Sequence, residues 1–372
     1  MRRRTQTLLI VTICLTASRL LAAPVQSVGV TQKVMPPIVH YRLSAIFSLA
    51  LSPHGKRLAV GAYRQVDIYD TTSWELLAVC RSVQNNARSI AFSPDGKTVA
   101  IGCGEPDESG ETLLWDGKTG THPTIINGPS DTIETLAYTA DGSLLVAGCA
   151  DHNVYIYPQT RGVKPTTLIE HNDRVEAVAT PSQAKLPFLT GGLDHTVKAW
   201  DPKALDSSIA NLDQYGDGIT CITYINTTQF VAGCLDGKIY WSGIYYDDRN
   251  KDWGDYTFRT DDAHDGGVNA EALSGNDQLL LTCGNDGTEK LWNMNGNTIK
   301  AFQISRAPLY AVALSQDGKT AMGGGRDGYL TVWDTTSGDI LRIIAPPALP
   351  APAKPRKHTL LKIKRIVHPR HK

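Results

Sequence analysis

Several kinds of site are missing from this sequence of 372 residues. It contains no Cys-x-x-Cys pair, no Cys-x-x-Cys-His run and no zinc-like spacing of cysteine and histidine. Beyond the N-terminal region, no segment approaches the roughly 20 apolar residues that a transmembrane helix needs. These absences leave no candidate metal centre, and we expect neither a metal nor a cofactor.

Acidic residues are missing from both ends of the chain. Residues 1–43 hold six Lys/Arg and no Asp or Glu, and residues 345–372 hold eight Lys/Arg and again no acid. The formal net charge is zero, so the central part carries 23 basic residues against all 37 acidic ones. The sequence therefore predicts an acidic body with two basic ends. The basic tail has two candidate targets, an anionic surface and the acidic body itself.

The N-terminus has the pattern of an export signal. Arg2–Arg4 precede an apolar stretch, Leu8–Ala17, and small residues follow it. We therefore expect residues 1–27 to be a signal peptide and the protein to be extracytoplasmic, either periplasmic or secreted. An N-terminal membrane anchor is the alternative, although the apolar run is short and Arg19 interrupts it.

The seven cysteines do not form an obvious disulfide framework. Cys103, Cys149 and Cys234 recur at one position, near the end of a β-run, which is typical of small buried side chains. Cys221 and Cys234 lie on neighbouring predicted strands, so they are the one pair for which the sequence leaves a disulfide as an alternative.

One twelve-residue pattern, most complete in Thr190–Asp201 (TGGLDHTVKAWD), recurs along the chain. A glycine pair ends one β-run, a short polar turn follows, and an alternating strand ends in an aromatic residue. The ends of these third strands recur at spacings of 41 to 50 residues, at Tyr69, Trp115, Tyr157, Trp200, Ser242, Trp292 and Trp333. A period of roughly 40–45 residues with about four strands per unit is typical of β-propellers.

Through these repeats the sequence resembles the WD-repeat β-propeller family. Trp115–Asp116, Trp200–Asp201 and Trp333–Asp334 are WD dipeptides, and Tyr69–Asp70 and Trp292–Asn293 are near matches. The resemblance implies an all-β fold, a seven-bladed β-propeller of four-stranded antiparallel blades.

The expected division of the chain follows from these patterns. After the signal peptide, residues 28–43 are predicted to be an extended lead-in, residues 44–344 the propeller, and residues 345–372 a Pro-rich linker with a basic tail. Closing the ring requires an outer strand for blade 7. Ile38–Leu43 and Asp339–Ile344 both have the composition for that position.

Two repeats match the family pattern more fully. The resemblance implies a buried His–Thr–Asp–Trp network in each, at His171, Thr190, Asp194 and Trp200 and at His264, Thr282, Asp286 and Trp292. Imidazole both donates and accepts hydrogen bonds, and an indole N–H needs an acceptor. The same residue types would suit a hydroxyl–His–Asp triad, but no G-x-S-x-G elbow accompanies them. We therefore predict a structural network and no catalytic residues.

The longest spacing between repeats contains Tyr245–Asp255, which is rich in Asp and aromatic residues. Asp248, Asn250 and Asp252 have the alternate spacing of a calcium loop, but Trp253 occupies the position that needs glycine. We expect a solvated loop here, with no metal.

By family resemblance, partners bind the narrow face around the central channel. Aligning the first strands on Val178 places seven residues at one rim position: Phe47, Arg88, Glu134, Glu176, Thr220, Asn269 and Tyr310. The residue before each turn adds Ala150, Leu193, Leu235, Asn285 and Arg326. Aromatic residues and arginine are typical interface anchors, so we predict partner binding at Phe47, Arg88, Tyr310 and Arg326. The alternative is that Phe47 and Tyr310 simply pack between blades.

The resulting hypothesis is a non-catalytic scaffold, a monomer whose rigid ring presents a surface to a protein partner. One alternative is an enzyme or ligand-binding propeller that uses the central channel. Another is an intracellular scaffold with an anion-binding basic tail, which requires a retained N-terminus. The fold does not identify the partner.

Overall fold

A computed structural model describes residues 44–117 and 123–345 of the chain. Within these ranges, 28 β-strands form seven antiparallel sheets of four strands each. The predicted all-β, seven-bladed propeller is therefore confirmed. The predicted signal peptide, the lead-in and the basic tail from residue 346 onward lie outside the described residues. None of the residues described belongs to a helix long and apolar enough to cross a membrane.

Each blade consists of four strands that follow one another in the chain. The strands of blades 1 to 3 are β1 (Ile46–Leu51), β2 (Arg57–Ala62), β3 (Gln65–Asp70), β4 (Leu76–Cys80), β5 (Ser89–Phe92), β6 (Thr98–Glu105), β7 (Ser109–Asp116), β8 (Thr124–Asn127), β9 (Ile133–Tyr138), β10 (Leu144–Cys149), β11 (Val154–Pro158) and β12 (Thr166–Leu168).

The remaining strands continue the same arrangement. The strands of blades 4 to 7 are β13 (Val175–Ala179), β14 (Phe188–Gly192), β15 (Val197–Trp200), β16 (Ala210–Leu212), β17 (Ile219–Tyr224), β18 (Gln229–Cys234), β19 (Lys238–Asp247), β20 (Asp252–Asp262), β21 (Val268–Leu273), β22 (Leu279–Gly284), β23 (Thr288–Asn293), β24 (Thr298–Gln303), β25 (Leu309–Leu314), β26 (Thr320–Gly325), β27 (Leu330–Asp334) and β28 (Ile340–Ile344).

The second strand of each blade is almost wholly apolar because neighbouring blades cover both of its faces. Its small residues make room for the next blade. A Cβ atom on Gly191 of β14 would lie only 2.5 Å from Cγ2 of Ile219 in blade 5. The glycine that ends this β-run in the repeat pattern is therefore explained by close packing between blades.

The hydrophobic core is divided into seven clusters, and each cluster joins two adjacent blades. The cluster between blades 7 and 1 contains Ile46 and Val60 of blade 1 with Met322 and Val332 of blade 7. Because every interface has such a cluster, apolar burial runs around the whole ring. The ring is thus closed by side-chain packing between the first and last blades.

The outer strand of blade 7 comes from the C-terminal candidate. Strand β28 pairs with β27, with Leu330 opposite Ile344 and Thr331 opposite Ile343. Ile38–Leu43, the other candidate, lies outside the described residues. Blade 7, like the other six, is therefore assembled from consecutive strands.

Blade 5 differs from the expectation of a solvated loop at Tyr245–Asp255. Strands β19 and β20 extend through this segment and pair as far as Asp247 and Asp252. Aromatic side chains stabilise the hairpin, because Tyr246 and Trp253 are directly opposite and their ring centroids are 5.5 Å apart. The prediction of a loop was wrong, since the cross-strand pairing could not be read from the repeat period.

The described cysteines are free thiols, including Cys221 and Cys234. Cys221 is paired in register with Gly233, while Cys234 lies opposite Ile219. The two cysteines are thus offset along neighbouring strands and form no disulfide in this structure.

Candidate functional site

The first strands of all seven blades surround a central cavity of about 560 Å³. Every residue of the predicted rim position lines it: Phe47, Arg88, Glu134, Glu176, Thr220, Asn269 and Tyr310. Leu193 and Leu235 from the second predicted set also line the cavity, whereas Ala150, Asn285 and Arg326 are not among its lining residues. Sequence alignment of the repeats therefore identified the channel mouth.

One side of the mouth is an aromatic wall with an arginine against it. The rings of Phe47 and Tyr310 stack with their centroids 6.0 Å apart and their planes 2° apart. Cζ of Arg88 lies 5.7 Å from the centroid of the Phe47 ring, within the range of a cation–π contact. Nε of Arg88 is also 3.5 Å from Oε2 of Glu134. These four side chains form a continuous cluster across blades 7, 1, 2 and 3, which we call the anchor cluster.

Arg326, the fourth predicted partner residue, is separate from this cluster. Its side chain is exposed, and its backbone N–H donates to the carbonyl of Pro308 at 3.0 Å. Arg326 follows β26 at the same end of blade 7 as Tyr310, because Gly325 pairs with Leu309. The structure therefore places it on the same face of the propeller, outside the cavity.

Acidic side chains also line the cavity. Glu134, Glu176 and Glu271 line it, and Arg88 is the only Lys or Arg among its lining residues. Burial raises the pKa of Glu134 and Glu176, and the charge of Glu134 adds to the effect on Glu176. Burial also raises the pKa of Glu271 well above its ordinary value. Both carboxyl oxygens of Glu271 are buried, and the side chain of Thr223 offsets only part of the effect of burial on its pKa.

Two rim residues bind the next blade. The hydroxyl of Thr220 donates to the carbonyl of Val268 at 2.6 Å, and the side-chain amide of Asn269 donates to the carbonyl of Leu309 at 2.7 Å. These contacts join blade 5 to blade 6 and blade 6 to blade 7. The rim position is thus used for interblade hydrogen bonds in blades 5 and 6, and for charged or aromatic groups in the other blades.

In blade 4, the predicted His–Thr–Asp–Trp residues meet in one buried chain of hydrogen bonds. Nδ1 of His171 is 2.9 Å from Oδ2 of Asp194, and its Nε2 is 2.8 Å from the hydroxyl of Thr190. The indole N–H of Trp200 donates to the same hydroxyl at 2.9 Å. One proton assignment satisfies all of these groups: Trp200 donates to Thr190, Thr190 to His171, and His171 to Asp194.

Blade 6 repeats this geometry. Nε2 of His264 is 2.8 Å from the hydroxyl of Thr282, to which the indole of Trp292 donates at 2.9 Å. Burial alone would raise the pKa of Asp286, but hydrogen bonds from His264 and Thr288 hold it below its ordinary value. The chain of hydrogen bonds therefore keeps this carboxylate ionised.

Blade 7 lacks the network, as the sequence indicated. Strand pairing places Gly323 opposite Thr331, the position that Thr190 has in blade 4. The indole nitrogen of Trp333 is buried and finds no acceptor among the described residues. The glycine also leaves space for a neighbour, since a Cβ atom there would overlap the carboxyl group of Glu289 in blade 6.

Four segments of the chain match the sequence profile of the family described as WD domain, G-beta repeat. The matched residues are 120–157, 162–201, 256–293 and 296–334. The chain belongs to the WD-repeat β-propeller family. The matches fall on blades 3, 4, 6 and 7.

Curated relatives and a solved structure agree with this family. The chain is 27% identical over 242 residues to periodic tryptophan protein 2 of Arabidopsis thaliana, covering 63% of this chain and 25% of that protein. It is 32% identical over 155 residues to the ribosome biogenesis protein WDR12 homolog of Trichoplax adhaerens, covering 41% of this chain and 32% of that protein. The chain thus spans about a quarter to a third of these relatives' length.

The solved WD40 β-propeller domain of Doa1 superposes with a TM-score of 0.63 at 17% identity. The match covers 78% of this chain and 92% of that domain. At this level of identity, the likeness concerns the fold.

The expected extracytoplasmic location is contradicted by these WD-repeat relatives. One is named a ribosome biogenesis protein, and another, from Xenopus tropicalis, is a homolog of U3 small nucleolar RNA-associated protein 15. Both names refer to processes inside the cell. The export prediction was wrong: it depended on a local pattern, three arginines before a short apolar run, which takes no account of the repeats that make up most of the chain.

Sequence reasoning missed two features of this WD-repeat propeller. It did not identify Glu271, which lines the same cavity two positions after the aligned rim residue Asn269. A β-bulge at Asn269 interrupts the alternation of faces that would have located it. It also missed Glu289, which lies three positions before the aromatic strand end Trp292. Most other blades have an apolar residue at this position. A charged residue at an apolar repeat position was the signal that could have found it.

Proposed function

We propose that this WD-repeat propeller is a non-catalytic scaffold that works as a monomer inside the cell and binds a protein partner through its narrow face. The anchor cluster, Phe47, Tyr310, Arg88 and Glu134, carries the proposal. It joins two aromatic rings and a guanidinium group at the mouth of the channel, and such groups dominate the binding energy of many interfaces. Arg326 extends the surface outward from blade 7.

The rest of the propeller supports this reading. We infer that the networks of His171 and His264 serve the architecture of blades 4 and 6, since each is buried and fully hydrogen-bonded. A satisfied polar network rigidifies the sheet that contains it. The scaffold therefore keeps the anchor cluster in place while the loops around it recognise the partner.

The decisive variant combines Arg88→Glu with Tyr310→Ala. The change removes one ring of the stack and reverses the charge beside the other ring, while the buried cluster between blades 7 and 1 stays intact. We expect quantitative affinity capture from cells expressing the full chain to lose specific partners while the protein stays folded. The melting temperature should fall modestly, because Glu134 loses the cation of Arg88. The purified partner should then bind the variant far more weakly than the parent chain.

A matched control changes the same residue types at the opposite end of the propeller. Tyr246→Ala with Arg249→Glu alters the projecting hairpin of blade 5, where both residues are exposed. This variant should retain the partners. If both variants lose the same partners, or neither does, the narrow face is not the binding surface.

A second candidate function is binding of a small cationic ligand in the channel. The cavity is lined by the carboxyl groups of Glu134, Glu176 and Glu271 and by one guanidinium group, and burial raises the pKa of all three glutamates. No group of three or more His, Cys, Asp or Glu residues suited to a metal ion occurs in the ranges that the structure covers. Calorimetric titration of the full chain with arginine amide tests this candidate, and heat that disappears in Glu176→Gln would favour it.

A further inference from the structure

The hairpin of blade 5 projects beyond the rest of its blade. Strand β18 pairs with β19 only as far as Gly243, whereas β19 and β20 stay paired as far as Asp247 and Asp252. The tip is therefore a ribbon of two strands. Such a ribbon is only marginally stable by itself, so it gains stability when a third strand pairs with it.

The outer side of this hairpin is a long free strand edge. Strand β20 has 11 residues, whereas the outer strands of the other six blades have three to six. It is the last strand of its sheet, and no backbone hydrogen bond joins it to any segment other than β19 among residues 44–117 and 123–345. A row of unpaired N–H and C=O groups is a template for one more strand.

One face of the hairpin carries exposed aromatic rings. Tyr245, Tyr256 and Phe258, which we call the aromatic row, have ring centroids 6.2 Å and 5.9 Å apart in this order, and each residue is 36% to 50% exposed. Tyr245 lies across Gly254, its partner in the opposite strand, where a Cβ atom would be 2.5 Å from Cζ of the ring. Tyr256 lies across Gly243 in the same way, at 2.6 Å. The row thus gives an added strand an apolar surface for the side chains on one of its faces.

The charge of the hairpin is complementary to a cationic strand. Residues 247–262 contain six Asp and three Lys/Arg. Arg259 is already occupied, since its guanidinium group binds both carboxylate oxygens of Asp261 and donates to the carbonyl of Gly296 at 2.8 Å. Asp252 and Asp262, at the two ends of β20, are exposed and form no ion pair within the part of the chain that the structure describes. These carboxylates attract a strand that carries Lys or Arg.

The same charges disfavour a second copy of this chain at the edge. If two β20 strands paired antiparallel over their whole length, Asp252 of one copy would lie opposite Asp262 of the other, at both ends of the pair. Like charges directly opposite each other destabilise a strand pair. A nucleic acid is disfavoured as well, because its phosphates need cationic partners.

We propose that the outer edge of β20 binds an extended peptide segment of a partner protein, which carries Lys or Arg residues and pairs as a fifth strand of blade 5. Main-chain hydrogen bonds to β20 supply the affinity, and alternate side chains supply the specificity. The side chains on one face of the bound segment pack on the aromatic row, while its cationic residues lie near Asp252 and Asp262. This surface is separate from the anchor cluster, so the inference does not depend on the proposed function.

Binding of a designed peptide to the full chain tests this inference. The probe is a blocked heptapeptide in which lysine alternates with valine. In hydrogen exchange measured at single residues, the amides of β20 that do not bond to β19 should exchange more slowly when the probe is present. Slower exchange confined to the channel mouth or to other outer strands would overturn the proposal, and so would β20 amides that are all protected before the probe is added.

Backbone methylation of the probe separates strand pairing from simple charge attraction. Successive N–H groups of a strand point to opposite edges, so one peptide is methylated at the amides of its valines and another at those of its lysines. One of the two should bind like the parent peptide, and the other should bind at least about tenfold more weakly, because several main-chain hydrogen bonds are lost. Equal affinities of the two methylated peptides would show that the peptide does not bind through one edge.

Charge reversal in the protein locates the binding site. Asp252→Lys with Asp262→Lys reverses the charges at both ends of β20 and should weaken binding of the probe by about tenfold. Glu75→Lys with Asp339→Lys makes the same change at exposed positions beside the shorter outer strands of blades 1 and 7, and this control should bind the probe like the parent chain. Equal losses in the two variants would mean that the probe is attracted to the acidic protein as a whole, against the proposal.

Light scattering of the full chain identifies the competing occupant of the edge. The chain should have the mass of one copy both with and without the probe. A dimer that dissociates when the probe is added would assign the edge to a second copy and would contradict the proposal. Arg88→Glu with Tyr310→Ala should bind the probe like the parent chain, so the edge of β20 and the anchor cluster are tested independently.

Discussion

Phe47 and Tyr310 stack with planes only 2° apart, although 263 positions separate them in the chain. The pair bridges the first strand of blade 1 and the first strand of blade 7. Directly beneath it, Ile46 is fully buried among residues of both blades. The stacked pair therefore lies at the rim of the channel and also at the end of the interface between blades 7 and 1, which closes the ring.

Closure of the ring depends on a tight fit between Gly324 and Ile46. A Cβ atom on Gly324 would lie 2.8 Å from both Cδ1 and Cγ2 of Ile46. We predict that Gly324→Ala destabilises the protein by about 1–3 kcal/mol through overpacking. Ile46→Ala alone should cost about 2–5 kcal/mol by leaving a cavity.

The two changes should compensate each other, because the new methyl group enters the space that isoleucine vacates. The double variant should therefore lose less free energy of unfolding than the two single variants lose together, as measured by denaturant unfolding. Strictly additive costs would show that Gly324 and Ile46 do not share this contact.

The network of blade 4 predicts a specific cost for Thr190→Val. Valine keeps the shape but removes the hydroxyl that accepts from Trp200 and bonds His171. A buried donor without a partner costs about 1–3 kcal/mol, so the midpoint of unfolding should fall accordingly. Thr260→Val, on the outer strand of blade 5, is exposed and should change stability little. Equal effects of the two substitutions would contradict a stabilising network.

Because Glu289 is buried, we expect the protein to lose stability as the pH rises. Its side chain is fully buried, both carboxylate oxygens lack a hydrogen-bond partner among the described residues, and burial raises its pKa to about 8. The folded protein therefore keeps this proton while the unfolded chain releases it from the ordinary pKa of 4.5 upward. Stability should fall as pH rises from about 4.5 to about 8, by up to about 1.4 kcal/mol per pH unit for this one proton.

Glu289→Gln removes that titration. Unfolding curves between pH 5 and pH 9 should therefore show a shallower decline for the variant, with the two proteins most alike at the acidic end. Glu75→Gln changes an exposed residue and serves as the control. An unchanged slope in Glu289→Gln would mean that Glu289 reaches solvent or a cation in the folded protein.

The buried cysteine thiols should resist both oxidation and labelling by thiol reagents. Burial raises the pKa of Cys221 and Cys283 well above its ordinary value, so little thiolate is available. In a Cys14→Ser variant, the native protein should react with a thiol reagent only slowly, and the denatured protein should react at all six remaining cysteines. Reductant should leave the melting temperature unchanged. A Cys221–Cys234 disulfide in peptide mapping would contradict the register of β17 and β18.

The candidate site shows which features an alignment of the repeats can predict and which it cannot. Aligning the first strands on Val178 found all seven rim residues, because each repeat places equivalent residues at equivalent positions of the ring. It did not reveal that Thr220 and Asn269 bind the neighbouring blade. Those bonds depend on the spacing between sheets, which no single repeat encodes.

The sequence by itself determined the architecture of this protein. The period of the aromatic strand ends, the glycine before each turn and the alternation within strands follow from local backbone preferences and from burial, so they are readable residue by residue. Tertiary structure alone decided that β28 completes blade 7, that Phe47 stacks on Tyr310, and that Thr220 and Asn269 bind the neighbouring blade. The physical reason is that these relationships arise when the seven blades close into a ring, which brings together residues from opposite ends of the chain.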